Sequence, residues 1–157
     1  MKSKNHKQFS SLILQLNAIC QGDPLAEGNV ETVRKEFERA SKVANFISNQ
    51  DQVSLNKVLH ATRGFDTGLK TILEHFGTPL TSRSLRGYLN ILKNGKTGCY
   101  PKLNGNFITR IQTDVVDKRN IFMHAAGQFP SKREAEQISG DIATYFQNIL
   151  SLIANSH

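Results

Sequence analysis

The chain has 157 residues, a formal net charge of +7 and a hydrophobic fraction of 38%. This length predicts one domain, residues 1–157, with a core large enough to fold without disulfides, and the apolar runs are too short to suggest a membrane partner. The basic balance favours a polyanion as partner, nucleic acid above all, although a small basic protein can also bind nothing specific.

The cysteines and the amino-terminal residues bear on the compartment. Cys20 and Cys99 lie far apart and in no metal-ligand pattern, which indicates free thiols in a reducing compartment. Residues 1–7 are basic, but Gln15 and Asn17 interrupt the apolar run that follows, which argues against a secretory leader. We therefore expect a cytoplasmic protein whose residues 1–7 form a flexible basic tail.

Helical periodicity dominates the first half of the chain. Apolar residues at helical spacing predict a first helix over residues 8–20, a second ending near residue 49 and a third over about 52–76. Gly64 and Gly68 fall inside the third. Since glycine weakens a helix interior, they predict a bend, a close helix approach or two shorter helices.

The second half continues the pattern. Thr81 or Ser82 is the predicted cap of a fourth helix, followed by a loop over about 95–106 that could contact substrate. A long amphipathic helix is expected over about 106–126, and the capping box of Ser131 and Glu134 opens the last helix. The sum is five or six helices without a sheet, which predicts an all-α antiparallel helical bundle.

The helix over about 106–126 has an apolar face and a polar face. Helical spacing places on the core face Phe107, Ile111, Val115 and Phe122. The polar stripe on the opposite face comprises Thr113, Asp117, Asn120 and His124. Arg119 lies between the faces. From the residues alone, a solvated helix face with an exposed histidine remains the alternative interpretation.

The segment Arg119-Asn120-x-x-x-His124 resembles the R-N-x-x-x-H form of the motif of the HEPN superfamily, which comprises all-helical nucleases and nucleotide-binding domains. Its position before a short turn and one last long helix is also similar. The resemblance implies a metal-independent endoribonuclease without a cofactor, in which Arg119 and His124 are catalytic and Asn120 supports them. It also implies a homodimer, with two copies of the motif facing each other.

The chemistry of these residue types agrees with that implication. A histidine can take or give a proton near neutral pH, and RNA carries its own nucleophile, the 2′-hydroxyl. An arginine stays protonated and its planar fork matches phosphate, so Arg119 can stabilise charge on phosphorus. Asn120 can orient His124 or hold a phosphate oxygen.

Several neighbours are expected to assist. Candidate RNA-binding residues are Lys118, Lys132 and Arg133, while Thr113 and Asp117 are expected in or beside the cleft between subunits. The negative charge of Asp117 conflicts with a phosphate site. It is therefore expected to pair with Arg119, Lys118 or a residue of the other subunit.

The resemblance further implies a toxin or antiviral-defence effector, held in check by an inhibitory or regulatory protein partner. The principal alternative is a non-catalytic HEPN-like module that binds nucleotide, nucleic acid or a protein. A third hypothesis is a helical interaction protein whose motif match is accidental. The histidines show no metal-ligand spacing and there is no glycine-rich phosphate loop, so we expect no metal or other cofactor.

Overall fold

The computed structural model describes residues 4–156, and in that range the chain is helical with no strand. The helices are, in chain order, α1 (Lys4–Cys20), α2 (Pro24–Lys42), α3 (Gln50–His75), α4 (Leu85–Asn94), α5 (Gly105–Ile111), α6 (Lys118–His124) and α7 (Lys132–Ala154). A 3₁₀ turn, Val43–Asn45, follows α2, and a π-helical segment, Gln112–Asp117, joins α5 to α6 without a break. The predicted all-α bundle is confirmed.

The four long helices α1, α2, α3 and α7 enclose the core. Side-chain pairs show that α2 and α3 run antiparallel, because Asp23 at the start of α2 meets His75 at the end of α3, while Glu36 meets His60. Phe146 of α7 packs at the centre of the bundle, against Phe65 and Phe37. The helices α4, α5 and α6 pack on one side of this bundle.

The start of α1 differs from the prediction. The helix begins at Lys4 rather than near residue 8, so residues 4–7 of the expected tail are helical. No glycine or proline interrupts the chain there, and the buried Phe9 and Leu12 anchor the helix that extends backward from them. Residues 1–3 of the tail lie outside the described residues.

Short polar side chains cap the helices, though not always the predicted ones. Asp23 caps α2 by accepting a hydrogen bond from Ala26 N at 3.1 Å, with Pro24 in the first turn. Ser84, rather than Thr81 or Ser82, caps α4 through Gly87 N. The predicted capping box of Ser131 and Glu134 is confirmed in both directions at the start of α7.

The two glycines of α3 allow a close helix approach, and they do not break the helix in two. An added Cβ at Gly64 would lie 2.6 Å from Cε1 of Phe37 on α2, and one at Gly68 would collide with the ring of Phe146 on α7. α3 therefore continues unbroken between its neighbours, and one of the three predicted outcomes is confirmed.

The π-helical segment changes the faces of the helix that carries the motif. A π turn closes its hydrogen bonds over five residues rather than four, and the consecutive Val115 and Val116 are both buried. Thr113 and Asp117 are exposed, whereas Arg119 and Asn120 are half-buried. The regular polar stripe predicted from Thr113 to His124 is therefore divided, since it assumed uniform α-helical spacing.

None of the helices within residues 4–156 combines the length and the apolar content that crossing a bilayer requires. The longest, α3, carries several charged side chains along its length.

Candidate functional site

A cleft of about 500 Å³ opens between α3, the start of α4 and the end of the motif-bearing helix. Its size lies within the range of small-ligand sites, about 300–1,000 Å³. The polar side chains that line it are Thr62, Arg63, Asp66, Arg83, Ser84, Arg86, Arg119 and Asn120. Four of these are arginines and one is a carboxylate, so the cleft is strongly cationic.

The motif's Arg119 and Asn120 form one wall of this cleft. Nη1 of Arg119 donates a hydrogen bond to Oδ1 of Asn120 at 3.1 Å. Because the acceptor oxygen of the amide is engaged, the amide nitrogen of Asn120 and the remaining N–H groups of Arg119 stay available to a ligand. The predicted pair is thus brought together at a cavity, on side chains that are half-buried.

His124 does not line the cleft. It lies on the last turn of α6, five residues beyond Arg119, which is about 7.5 Å along the helix axis. Its side chain is exposed, and its exposed apolar neighbours include Ile121 and Met123. In this chain the imidazole is therefore available to a second molecule rather than enclosed with Arg119.

Asp117 has a partner that the sequence did not predict. Its Oδ1 accepts a hydrogen bond from Nη2 of Arg86 on α4 at 2.5 Å, and both side chains are about half exposed. The expected pairing with Arg119 or Lys118 is therefore wrong for this chain, because the π segment turns Asp117 toward α4. The ion pair ties α4 to the motif-bearing helix beside the cleft.

The other predicted contact residues lie outside the cleft. Lys118 and Thr113 are exposed on the motif-bearing helix, and Lys132 and Arg133 are exposed on the first turn of α7. Lys132 is near the half-buried Lys57 of α3. Burial lowers the pKa of Lys57, Lys132 lowers it further, and Glu136 opposes both effects.

Asp66 is the acidic group in this cationic cleft. It is half-buried on α3, and burial raises the pKa of its carboxyl, while the positive charges of Arg119 and Lys70 lower it. Tyr88 of α4 lies near enough that Asp66 contributes, after burial, to the raised pKa of the Tyr88 hydroxyl. The carboxylate thus couples to the motif's arginine across the cleft.

Arg63 and Asp66 escape prediction from the sequence because they belong to a different helix from the motif. One signal could have identified Asp66: it is the single acidic residue between Asp51 and Glu74, inside a stretch otherwise rich in core residues. Arg83, just before α4, and Arg86, in its first turn, also line the cleft.

The arrangement is suited to an anion. Several guanidinium groups around one concave surface focus positive potential, and each can form bidentate hydrogen bonds to phosphate. Within the described residues, no three His, Cys, Asp or Glu side chains cluster closely enough to hold a metal ion.

Comparison of the chain with known proteins does not indicate a family. The chain matches no protein-family model, no curated protein and no solved structure.

Proposed function

We propose that the protein is a HEPN-like endoribonuclease that cleaves RNA by attack of its own 2′-hydroxyl, without a metal ion. The observation that carries the proposal is the arginine-lined cleft, which has the motif's Arg119 and Asn120 in its wall, while His124 is exposed on the same helix outside the cleft. The cleft would bind the phosphodiester, Arg119 would stabilise the charge that develops on phosphorus, and His124 would transfer a proton.

A second copy of the chain would complete this site. His124 is exposed, and the exposed fractions of the neighbouring Ile121, Met123 and Phe129 are 52%, 41% and 37%. Exposed apolar side chains close together in the chain favour burial against a partner, and a twofold interface would place two equivalent histidines together. We infer a homodimer in which both copies of His124 face one RNA strand, with Lys118, Lys132 and Arg133 as candidate contacts to its backbone.

The proposed biological role is that of a toxin or antiviral-defence effector, controlled by an inhibitory or regulatory protein. It rests on the resemblance of the motif alone.

The test is cleavage of total RNA by purified protein in excess EDTA, beside the variants Arg119→Ala and His124→Ala. We expect the wild type to produce 2′,3′-cyclic phosphate ends. Loss of the proton-transfer group should lower the rate about 10²–10⁴-fold, and loss of the charge-stabilising group about 10²–10³-fold. Chemical analysis of the RNA ends and gel-based rates provide the measurements.

Arg110→Ala is the matched control, because Arg110 is an exposed arginine on α5 that does not line this cleft. The variant removes one positive charge, as Arg119→Ala does, and should retain most of the activity. Equal cleavage by the wild type and both motif variants would show a contaminating nuclease. Absence of cleavage by the wild type would overturn the proposed reaction.

A second candidate function is a non-catalytic module that binds a nucleotide or another phosphorylated ligand. The separation of His124 from the cleft favours it, since the cleft by itself is an anion site without a histidine. In that case ATP or a dinucleotide would bind in calorimetric titrations, Arg119→Ala and Arg63→Ala would weaken binding, and His124→Ala would leave it unchanged.

A further inference from the structure

We propose that Asp66 is a catalytic residue of this reaction, the base that takes the proton from the attacking 2′-hydroxyl. The inference rests on the proposed ribonuclease function, because it concerns the same cleft. It adds to the motif a residue from a different helix, α3, which the resemblance does not supply.

The reaction needs two proton-transfer groups, and the motif of one chain contains one. Cleavage by the 2′-hydroxyl requires a base for that hydroxyl and an acid for the leaving 5′-oxygen. A guanidinium group, as in Arg119, is a poor proton donor or acceptor, and the amide of Asn120 carries no titratable proton. His124 can fill one role, and it lies outside the cleft in which phosphate would bind.

Among the described side chains that line the cleft, Asp66 is the one with a basic atom that can take a proton from a hydroxyl. The Thr62 hydroxyl donates to the carbonyl of Val58, and the Ser84 hydroxyl accepts from Gly87 N. Asp66 has neither a hydrogen bond nor an ion pair to any residue in the range 4–156. Its oxygens are therefore free to accept a hydrogen bond from a substrate hydroxyl.

A carboxylate in a phosphate-binding cleft also requires an explanation, because it repels the ligand. The charged or titratable groups around it are Arg63, Lys70, Arg83, Arg86, Tyr88 and Arg119. Burial raises the pKa of Asp66, which makes the carboxylate a stronger base, while Arg119 and Lys70 favour its ionised form. A group that weakens binding yet accepts protons is consistent with a role in catalysis.

All protons and bonds of the proposed step are accounted for by the substrate and two side chains. The ionised carboxylate of Asp66 takes the proton of the 2′-hydroxyl, and the 2′-oxygen forms a bond to phosphorus. The bond from phosphorus to the 5′-oxygen breaks, and that oxygen takes a proton from the imidazolium of His124 of the second copy of the chain, which the proposed dimer would bring to the cleft. The products are a 2′,3′-cyclic phosphate and a 5′-hydroxyl, after which Asp66 loses its proton to solvent and His124 regains one.

The first experiment distinguishes the role of the base from that of the acid by comparing a leaving group that needs a proton with one that does not. Wild type, Asp66→Asn and His124→Ala are compared on an oligoribonucleotide and on uridine 3′-(4-nitrophenyl phosphate), whose nitrophenolate departs without a proton. We expect Asp66→Asn to be slower by about 10²–10⁴-fold on both substrates. His124→Ala should be impaired on the oligoribonucleotide and close to wild type on the nitrophenyl ester.

The second measurement is RNA binding by the same proteins, followed by fluorescence anisotropy with an oligonucleotide whose 2′-hydroxyl at the cleaved position is replaced by hydrogen. Asp66→Asn should bind it as tightly as wild type or more tightly, because a negative charge has been removed from the cleft. A fall in turnover with undiminished binding distinguishes a proton-transfer role from loss of the cleft's shape.

Asp141→Asn is the matched control. Burial also raises the pKa of Asp141, but this residue lies on α7, accepts a hydrogen bond from Gln137 at 2.8 Å and does not line the cleft. It should cleave both substrates at close to the wild-type rate. Thermal melts of both variants check that the fold is retained.

The outcomes separate the two proposals. If the wild type cleaves both substrates and Asp66→Asn cleaves either of them at the wild-type rate, the role of Asp66 is overturned while the ribonuclease stands. The role is also overturned if the slower cleavage by Asp66→Asn is accompanied by equally weakened binding of RNA. If the wild type cleaves neither substrate, both proposals fall.

Discussion

At the scale of single residues, Gly64 determines how closely α2 can approach α3. The ring of Phe37 rests on the bare backbone of Gly64, and the same ring stacks on Phe9 of α1 with centroids 4.3 Å apart. Because Phe37 is held from both sides, it cannot move aside for an added methyl group. The absence of a side chain at Gly64 thus allows α1, α2 and α3 to pack closely around the ring of Phe37.

Gly64→Ala should destabilise the protein by about 1–3 kcal/mol, the usual cost of overpacking a filled core. Gly28→Ala is the control, since Gly28 lies in α2 with nothing within 4 Å of an added Cβ. That change should stabilise the helix by about 0.5–1 kcal/mol. Urea unfolding followed by circular dichroism measures both free energies, and a stabilised Gly64→Ala variant would contradict the packing described.

At the scale of an element, the π-helical segment sets which side chains of the motif-bearing helix face the cleft. Its Asp114 accepts a hydrogen bond from the hydroxyl of Tyr145 on α7. Burial, together with the hydrogen bond and the charge of Asp114, raises the pKa of Tyr145 to about 12, so the hydroxyl remains a donor at neutral pH. This contact holds the segment against the bundle five residues before Arg119.

Tyr145→Phe should therefore destabilise the protein by about 1–2 kcal/mol, as expected for a lost hydrogen bond to a charged group. Tyr88→Phe is the comparison, since the Tyr88 hydroxyl has no hydrogen-bond partner in the described part of the chain. Its unfolding free energy should change much less. Equal losses in the two variants would show that the contact between Tyr145 and Asp114 adds little to stability.

At the scale of the whole molecule, Asp23 joins the start of α2 to the end of α3. Its Oδ1 caps α2 at Ala26 N, and its Oδ2 contacts Nδ1 of His75 at 2.8 Å, 52 residues away. The hydrogen bond with His75, and then that from Ala26 N, lower the pKa of the Asp23 carboxyl. One side chain thus serves both a local and a long-range contact.

The stability that Asp23 contributes should depend on pH. A carboxyl whose pKa is lower in the folded state stabilises the fold above its unfolded value of about 3.9. That contribution disappears as the pH falls through the folded value. In a double-mutant cycle of Asp23→Asn and His75→Ala, measured by urea unfolding, coupling should be present at pH 6 and lost in strong acid. Coupling that persists unchanged into acid would contradict the assignment.

Local patterns were sufficient for the helices themselves. Apolar spacing predicted the core face of the motif-bearing helix, and Ile111 and Val115 are fully buried. Glycine and proline, and the capping box at Ser131, located most helix boundaries to within about four residues. The end of the second helix was predicted wrongly, because α2 ends at Lys42, before a 3₁₀ turn, rather than near residue 49. These features are encoded within one or two turns of the chain, which is why the all-α architecture could be predicted.

The cleft depended on contacts between distant segments. Asp66 and Arg119 are 53 residues apart in the sequence, and no local pattern indicates that α3 and α6 share a cavity. Likewise, Asp117 meets Arg86 of α4 at the end of a π turn, a change of register in which the consecutive Val115 and Val116 are both buried. The amino-acid order specifies the helices and the motif, while the packing of α3, α4 and α6 determines which charges meet, because only burial brings them within reach of one ligand.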